Sequence, residues 1–542
     1  MKARESLADA LADWGIETVF ALLGATNQDL LCDLSDRLGI RLVHARHESS
    51  AVSMADGYAR FTGRPGCAAV TAGPGLTNTV TALAVARSHR TPLLLLAGDT
   101  ATGDTRNPQH LDQEALARLV ECPGGTLRSA DDLPDLLTTA AAALADHLPL
   151  VLNLPVDIQS TPTRAQPAPT LPTPPRHGVD PEQIEAAAKA LGAARRPLVL
   201  AGRGAVTSGA GPTLRRLAEH LHATLATTLR ANGLFAGHHL DAGTCGAMGD
   251  GRADHALSRC DALLAAGTSL HPLSIGALAD AARVIRIDHI QHATPHTSPA
   301  TVFLHGDTHH TAHALHTRLT AQTPRQITRH HPTAPRDHSA PDSRPYQDTD
   351  TTLDPRHALH RLLPLLAPDS GIVIGGGHAA ITACQLLPAT APRHWTCASV
   401  DFGAIGQSLA VAIGACFARP DQRTIHVTGD GDLMMALAEL DTAVRYDLPL
   451  TVIVLNDQGF GQERHHLGRA THANHPSPDF ADLARTLGAN GYRLDGPADL
   501  HRLSQALSHQ SGVVVIDIRT NPAYRNPASP RIARALTAPS RA

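Results

Sequence analysis

The sequence predicts an α/β protein of three doubly wound domains with mainly parallel sheets. Short, continuously apolar segments alternate with helical segments along the whole chain, which is typical of parallel strands covered on both faces. Two stretches rich in Pro and Thr, at 160–179 and about 323–352, divide the 542 residues into three blocks. Because such composition favours extended, exposed linkers, we expect domains at 1–160, 181–322 and 353–542.

Each block contributes its own strands and helices. The first has strand candidates at 17–22, 41–44, 67–71, 92–97 and 148–154, with helical patterns at 6–14 and 49–62. The second has strand candidates at 197–201, 262–266 and 284–287. The third has strand candidates at 372–374, 424–428, 450–455 and 513–518, and one helix over 433–446. Folds of this kind bind many ligands, so the fold alone names no function.

Charge and hydropathy exclude two classes of partner. Charged residues are 18% of the chain, the formal net charge is −4, and no dense Lys/Arg run occurs, so we expect no nucleic acid. No apolar stretch is long enough to span a membrane, and the N-terminus lacks the apolar core of a signal peptide. The eight cysteines are dispersed without a CxxC pair, which favours free thiols and a cytoplasmic location.

The most informative motif lies in the third block, where a strand ends in Gly429-Asp430-Gly431-Asp432 and the next strand is followed by Asp457. A right-handed crossover brings the carboxyl ends of two such parallel strands to one edge of the sheet, where ligands bind. Glycines allow backbone N–H groups to approach a phosphate. Carboxylates supply the oxygen ligands that Mg²⁺ prefers. The motif therefore predicts a phosphate and magnesium site.

This arrangement resembles the cofactor-binding signature of thiamine diphosphate (ThDP)-dependent enzymes, in which a GDG turn is followed, one helix and one strand later, by an NN pair. The resemblance implies Mg²⁺ ligands at Asp430, at Asp457 and at the backbone carbonyl of Gly459. It also implies that Gly429, Gly431 and Asp432 contact the cofactor. Asp457 stands where the family usually has Asn, so the site keeps its oxygen donor and gains a negative charge.

A second resemblance lies in the first block, where Glu48 begins a helical pattern and Gly73-Pro74-Gly75 and Asn78 follow the next strand. In the family this Glu contacts N1′ of the cofactor's aminopyrimidine and promotes loss of the thiazolium C2 proton, which gives a nucleophilic ylide. Its carboxyl group must be shielded from water to share that proton. The family's GPGxxN segment lines the pyrimidine site. Taken alone, Glu48 is better explained as an acid at a helix start, stabilised by the helix dipole.

Three further segments of the chain match the family. Ile405, after Ala404, occupies the position of the bulky residue that bends the cofactor, although core packing explains an isolated Ile equally well. Gly377 and His378 stand where the diphosphate domain usually opens with an acidic residue and GQH. Gln113 lies in a segment similar to FQE, which makes it a candidate hydrogen-bond donor to the bound intermediate. The resemblance covers essentially the whole chain.

The resemblance is to the acetolactate synthase-like branch, and it implies an enzyme that forms or cleaves a carbon–carbon bond of a 2-oxo acid or related acyl donor through the ylide and an enamine. The alternatives are a decarboxylase that releases an aldehyde and a catalytically silent cofactor-binding homologue. The segment GFGQERHHL replaces the branch's usual substrate segment, so donor and acceptor stay unassigned.

The resemblance also bears on flavin and on assembly. FAD is doubtful, because Ser269 and Leu270 replace the Arg-Phe pair of flavin-containing members and His289 interrupts their IDIDP segment. In the family each active site lies between two chains, with the first domain of one facing the third domain of the other. We therefore expect a homodimer or a dimer of dimers, with small molecules as the remaining partners.

Overall fold

The computed structural model contains three parallel six-stranded sheets, each formed by strands from one of the three blocks. The α/β, three-sheet fold class predicted from the sequence is therefore confirmed, whereas the domain bounds stay predictions. The structure describes residues 1–164, 167–171, 179–249, 251–275, 278, 282–289, 302–321, 344–467, 472–509 and 511–532. Most of the second predicted linker, 323–352, lies outside these residues.

The first sheet has the order β2-β1-β3-β4-β6-β5, the second β12-β11-β10-β7-β8-β9 and the third β14-β13-β15-β16-β18-β17. The strands of the first sheet are β1 Thr18–Ala21, β2 Arg41–His44, β3 Gly66–Val70, β4 Leu93–Asp99, β5 Gly124–Thr126 and β6 Pro149–Pro155. Those of the second are β7 Pro197–Ala201, β8 Thr224–Thr227, β9 Asp241–Thr244, β10 Ala262–Ala266, β11 Arg283–Asp288 and β12 Val302–His305. Those of the third are β13 Gly371–Ile374, β14 Trp395–Cys397, β15 Thr424–Gly429, β16 Leu450–Asn456, β17 Asn490–Leu494 and β18 Val514–Arg519.

Helices connect the strands in all three domains. The first domain contains α1 Ala3–Asp13, α2 Gln28–Cys32, α3 Glu48–Thr62, α4 Pro74–Thr77, α5 Val80–His89, α6 Gln113–Leu119, α7 Leu133–Ala145 and α8 Val156–Gln159. The second contains α9 Pro181–Gly192, α10 Arg203–Thr207, α11 Gly211–Leu221, α12 Arg252–Leu257, α13 Pro272–Ile275 and α14 Thr308–Thr320. The third contains α15 Pro355–Leu362, α16 Gly377–Leu386, α17 Ser408–Ala418, α18 Asp430–Met434, α19 Glu439–Arg445, α20 Gly461–Leu467, α21 Phe480–Thr486 and α22 Arg502–Leu507.

One expectation about local structure is wrong. The single helix predicted over 433–446 is two helices, α18 and α19, because contacts with other elements override the strong helix propensity of 435–438. Met435 packs under Gly406, and the carboxylate of Glu439 accepts a hydrogen bond from the backbone N of Arg46 at 3.0 Å. None of the described residues of the first linker is buried, and Pro169 O accepts a hydrogen bond from the Trp14 indole at 2.8 Å.

The first and third domains share one hydrophobic core. Helix α3 crosses α17 at glycine positions, where a side chain on Gly57 would strike the backbone of Val411 and one on Gly414 would strike that of Met54. Phe20 and Phe417 pack edge to face in the same core, with ring centroids 5.6 Å apart. The two domains therefore form one packed unit through a close helix crossing.

The described residues also bear on membrane insertion and on the thiols. None of the helices within these ranges combines the length and apolar character needed to cross a membrane. All eight cysteines are free, and seven of them are buried.

Candidate active site

A pocket of about 100 Å³ opens at the carboxyl edge of the third sheet. It lies where β13 and β15 are neighbours and the strand order changes direction, which is the usual ligand position in open α/β sheets. Most lining residues follow the ends of β13, β15 and β16, which explains why residues far apart in sequence meet. They include Gly376, Gly377, His378, Ile405, Gly429, Asp430, Gly431, Asp432, Asp457 and Gly459.

Two carboxylates line this pocket, the buried Asp430 and the partly buried Asp457. Asp430 Oδ2 accepts hydrogen bonds from Gly459 N at 3.0 Å and from Ser477 Oγ at 2.6 Å. Asp457 Oδ2 lies 3.2 Å from Nη1 of Arg464. Burial and the charge of Asp430 nevertheless raise the pKa of Asp457 to about 7. The guanidinium group of Arg464 therefore does not balance the negative charges of Asp430 and Asp457.

This donor set fits a magnesium ion that is bound partly by a diphosphate. No three His, Cys, Asp or Glu side chains within the described ranges cluster closely enough to hold a metal ion. Two carboxylates and the backbone at Gly459, however, face one pocket whose remaining wall is glycine-rich. Mg²⁺ commonly binds through one or two carboxylates together with phosphate oxygens and water. A divalent cation would also relieve the repulsion between Asp430 and Asp457.

Asp432 ties three loops of the pocket together. Its carboxylate accepts hydrogen bonds from Gly376 N at 2.8 Å, Ser408 Oγ at 2.6 Å and Thr428 Oγ1 at 2.7 Å, and a further one from Gly406 N. Gly376 follows β13, Thr428 is the penultimate residue of β15, Gly406 precedes α17 and Ser408 begins it. The sequence predicts that Asp432 contacts the cofactor. In the structure its hydrogen bonds hold the walls of the pocket in place.

The turn between β13 and α16 shapes another wall. Gly377 has φ +79°, a left-handed conformation that favours glycine, and a side chain on Gly376 would collide with Ile405. His378 Nε2 accepts a hydrogen bond from Asn526 N at 3.2 Å, so its proton lies on Nδ1. Burial and nearby His465 lower the pKa of His378 to about 4, so the ring is neutral at pH 7. The start of α16 and the neutral ring of His378 thus line the pocket.

Ile405 lines the pocket, as the sequence predicts, whereas Ala404 does not appear among the lining residues. Ile405 precedes Gly406, whose φ is +80°. Gly406 N is bonded to Asp432, so the loop that carries Ile405 is fixed at its base.

The first domain brings Glu48 and Asn78 together. Glu48 is the first residue of α3 and is 9% exposed. Asn78 Nδ2 donates a hydrogen bond of 2.9 Å to Glu48 Oε2. Asn78 follows α4, which begins at Pro74 and contains buried Gly75. A shielded carboxylate with one amide donor is thus built from the two segments that the sequence singled out.

Gln113 holds Gly73 in this region. Its Oε1 accepts a hydrogen bond from Gly73 N at 3.0 Å, and its Nε2 donates to Gly98 O at 3.1 Å and to Asn153 Oδ1 at 3.2 Å. Gly73 has φ +61°, and a side chain there would strike the backbone of Gln109. The amide of Gln113 is therefore engaged in fixing this turn, and its contact with a bound intermediate stays a prediction.

The two groups of residues lie apart within one chain. All the residues that line the pocket lie between Pro355 and Tyr524, so Glu48 and Gln113 are not among them. A link exists at Gln407, whose Oε1 accepts hydrogen bonds from the hydroxyls of Ser49 and Ser53 on α3.

Sequence reasoning missed several residues that support the pocket. Ser477 and Arg464 contact the carboxylates of Asp430 and Asp457, and Asn526 orients His378. The buried pair of Asn456 and Asp517, 2.9 Å apart, joins the ends of β16 and β18. The sequence did contain a signal for Asn456, because it is a polar residue at the end of an apolar strand. Ser477 and Asn526 lie in irregular segments where periodicity gives none.

Comparison with known proteins agrees with this geometry. Residues 1–117, 184–315 and 375–518 match the N-terminal TPP binding domain, the central domain and the C-terminal TPP binding domain of the thiamine pyrophosphate enzymes, whose cofactor is ThDP. The chain belongs to the thiamine pyrophosphate enzymes. The predicted family is therefore confirmed, and the first and third matches cover the two segments that carry Glu48 and Asp430.

Relatives of this ThDP enzyme include a synthase and decarboxylases. It is 29% identical to the Escherichia coli acetolactate synthase isozyme 3 large subunit, over 96% of this chain and 94% of that one. It is 31% identical, with the same coverage, to the "Probable 2-ketoarginine decarboxylase AruI" of Pseudomonas aeruginosa. The Rhodococcus jostii ThDP-dependent 4-hydroxybenzoylformate decarboxylase shares its fold, with a TM-score of 0.81, 21% identity and coverage of 96% and 99%. The chain is thus an acetolactate synthase-like ThDP enzyme.

Proposed function

We propose that this enzyme uses ThDP and Mg²⁺ to form or cleave the carbon–carbon bond next to the carbonyl group of a 2-oxo acid. The observation that carries the proposal is the pair of neighbouring carboxylates, Asp430 and Asp457, in a glycine-walled pocket at the carboxyl ends of neighbouring strands. The raised pKa of Asp457 supports a site that is completed by a cation.

The third domain holds the charged end of the cofactor. Asp430, Asp457 and the carbonyl of Gly459 bind Mg²⁺, which neutralises the diphosphate. The amides at the start of α16 and the Nδ1–H of His378 donate to phosphate oxygens, where the helix dipole favours negative charge. Ile405, which lines the pocket, would pack against the bound cofactor. Asp432 acts indirectly, by fixing Gly376 and Gly406.

The first domain supplies the proton transfer. Bound ThDP supplies a nucleophilic carbon and an electron sink. Glu48 holds a proton at the aminopyrimidine, and its burial allows that proton to be shared with the ring. Asn78 orients the carboxyl group through the 2.9 Å hydrogen bond. Retention of this carboxylate together with Asp430 argues against a catalytically silent homologue.

We infer that two copies of the chain form each complete site. Glu48 does not line the pocket of its own chain, and both domains expose large apolar side chains. On the third domain these are Phe402, Met434, Met435 and Phe460, and on the first they are Leu23 and Leu119. Apolar surface next to a polar site is typical of an interface. A homodimer, or a dimer of dimers, would bury it.

Decarboxylation alone and decarboxylation followed by ligation differ in what the enzyme does after CO₂ leaves. The relatives include both a synthase and decarboxylases, and those decarboxylases are named for 2-oxo acids. The test is to incubate the holoenzyme with a panel of 2-oxo acids, alone and with a second carbonyl compound, and to follow CO₂ and product mass. Ligated products support a carboligase, whereas aldehydes alone support a decarboxylase. No turnover of any 2-oxo acid would contradict the proposal.

We also propose that the enzyme works without flavin, because Ser269, Leu270 and His289 stand where flavin-containing members carry other residues. The purified protein should be colourless. Release of stoichiometric FAD on denaturation would contradict this.

A further inference from the structure

A second cavity, of about 170 Å³, lies where all three domains meet. It is separate from the pocket that holds Asp430, since the two share no lining residue. Its walls are the ends of α3 and α5, the start of α10 and the segment 392–401. We call it the junction cavity.

Arginine dominates its lining. Arg60, Arg90, Arg203, Arg230 and Arg393 face the junction cavity, whereas Asp401 is the one carboxylate among its lining residues. Asp401 is already engaged, because its oxygens lie 2.8 Å from Arg60 Nη1 and 2.7 Å from Arg230 Nε. The other three guanidinium groups therefore remain without a carboxylate in the wall.

Arg90 and Arg203 are the least compensated cations. Arg203 Nη1 donates one long hydrogen bond, of 3.4 Å, to the carbonyl of Arg90. Arg90 Nη2 donates to Asp146 O at 2.7 Å, while its buried Nε has no partner. Neither guanidinium has a carboxylate oxygen within 4.0 Å among the residues that the structure describes. Both residues are half-buried, and partial burial of unpaired cations is costly unless an anion accompanies them.

The neighbouring histidines do not supply that anion, and they add no charge. Burial, together with Arg203 and Arg90, lowers the pKa of His147 to about 4, so it is neutral at pH 7. Burial, followed by the charge of Arg230, lowers the pKa of Arg203 to about 9, and Arg203 still carries its proton at pH 7. The junction cavity is thus a cationic compartment under physiological conditions.

We propose that the junction cavity binds a small phosphate-bearing anion. Guanidinium groups that converge from different elements match the several oxygens and the double charge of a phosphate. The volume suits a small molecule, since a cavity of about 150 Å³ holds a benzene ring. Arg90 belongs to the first domain, Arg203 to the second and Arg393 to the third, so the anion links all three. Ligand binding to the folded state alone stabilises that state.

Trp395 offers a local readout, because it lines the junction cavity and the chain has only one other tryptophan, Trp14. The Trp14→Phe protein therefore reports on the cavity through its fluorescence. The experiment titrates inorganic phosphate into the ThDP- and Mg²⁺-saturated holoenzyme at constant ionic strength, so that the cofactor's own phosphate site is occupied. Calorimetry on the unchanged chain measures the same binding independently. We expect a saturable change with one site per chain.

Substitutions test the location. Arg203→Gln should weaken phosphate binding at least tenfold, and Arg203→Lys, which keeps the charge, should weaken it less. Arg393→Gln, at the exposed rim, should also weaken binding and spares the buried wall. The matched control is Arg259→Gln, an exposed arginine of the same domain as Arg203, which should bind phosphate like the wild type. Absence of saturable binding to the wild type, or equal binding by Arg203→Gln and Arg259→Gln, would overturn the proposal.

A further comparison identifies the source of the phosphate. Glycerol phosphate and inorganic phosphate are titrated separately, with succinate as a carboxylate of similar charge. Tighter binding of glycerol phosphate points to a phosphorylated metabolite, and tighter binding of inorganic phosphate points to the free ion; both support the proposal. Preference for succinate would overturn the assignment to phosphate.

Discussion

Carboxylates line both the junction cavity and the pocket of the third domain, but their charges are balanced in opposite ways. Burial alone raises the pKa of Asp401 at the junction, yet the charges of Arg230 and Arg60 outweigh it and lower the pKa to about 2. In the pocket, burial and the charge of Asp430 raise the pKa of Asp457 to about 7, although Arg464 is 3.2 Å away.

This difference distinguishes Asp401, an acid that stabilises the fold, from Asp457, an acid that favours binding of a cation. Asp401 finds its cations within the chain, so its ionisation stabilises the fold. Asp430 and Asp457 repel each other until a cation from solution joins them. Perturbed carboxylates of the second kind are typical of functional sites. Changes in the pocket should therefore mainly affect cofactor binding and turnover, and changes at the junction should mainly affect stability.

The largest effect should come from Glu48, the shielded carboxylate of the first domain. Glu48→Gln should retain ThDP but lose turnover by roughly 10²–10⁴-fold, the range for removal of acid–base catalysis. Steady-state kinetics and cofactor titration measure the two quantities. Glu17→Gln, an exposed acid of the same domain that pairs with Arg64, is the control and should keep its activity. Unchanged hydrogen–deuterium exchange at cofactor C2 in Glu48→Gln would refute the assignment.

The next effect concerns the metal ligands. Asp430→Ala should weaken Mg²⁺-dependent ThDP retention by more than the roughly 10–100-fold that loss of an outer-shell partner costs, because it removes a direct oxygen ligand. Asp457→Asn keeps an oxygen at the same place and should retain the cofactor. Calorimetry compares the two variants. If Asp430→Ala bound ThDP as tightly as the wild type, the metal site would have to lie elsewhere.

Mixing two inactive variants tests whether the pocket of one chain needs the first domain of a second copy. Glu48→Gln and Asp430→Ala chains are each inactive by these expectations. After subunit exchange, a mixed dimer with shared sites should contain one intact site of two and recover about half the activity of a wild-type dimer. Heterodimers isolated with two different tags provide the measurement. Absence of recovery in proven heterodimers would place each site within one chain.

The smallest effects are opposite changes in stability. Asp401→Asn should lower the free energy of unfolding by about 2 kcal/mol at pH 7. The wild type loses this contribution between about pH 4 and pH 2, because the folded pKa lies below the unfolded one.

Asp457→Asn should raise the stability of the cofactor-free protein, since ionisation of Asp457 opposes folding increasingly from about pH 4 to pH 7. Denaturant titrations across this pH range measure the free energy of unfolding of both variants. If Asp401→Asn and Asp457→Asn changed it in the same direction, the comparison between the two sites would be contradicted.

Much of the fold could be predicted from local sequence. Apolar strands such as Pro197–Ala201 and Ala262–Ala266 have the predicted bounds, because their continuous apolar pattern is unambiguous. Short or mixed strands were missed, such as Gly124–Thr126 and Asn490–Leu494, since their propensities are weak and only pairing with neighbours makes them strands. The prediction of one continuous helix over 433–446 was wrong for the same reason, because contacts with Gly406 and Arg46 outweigh the local helix propensity.

The candidate site divides in the same way. The sequence by itself determined which residues carry the chemistry, because Glu48, Asp430 and Asp457 lie at strand or helix ends with family spacing. Only the tertiary structure decided how they are held. It engages Asp432 in four hydrogen bonds, binds Gln113 to Gly73 and leaves Asp457 with a pKa of about 7. The junction cavity likewise assembles arginines from three domains, since burial and charge balance depend on distances between segments that the sequence keeps far apart.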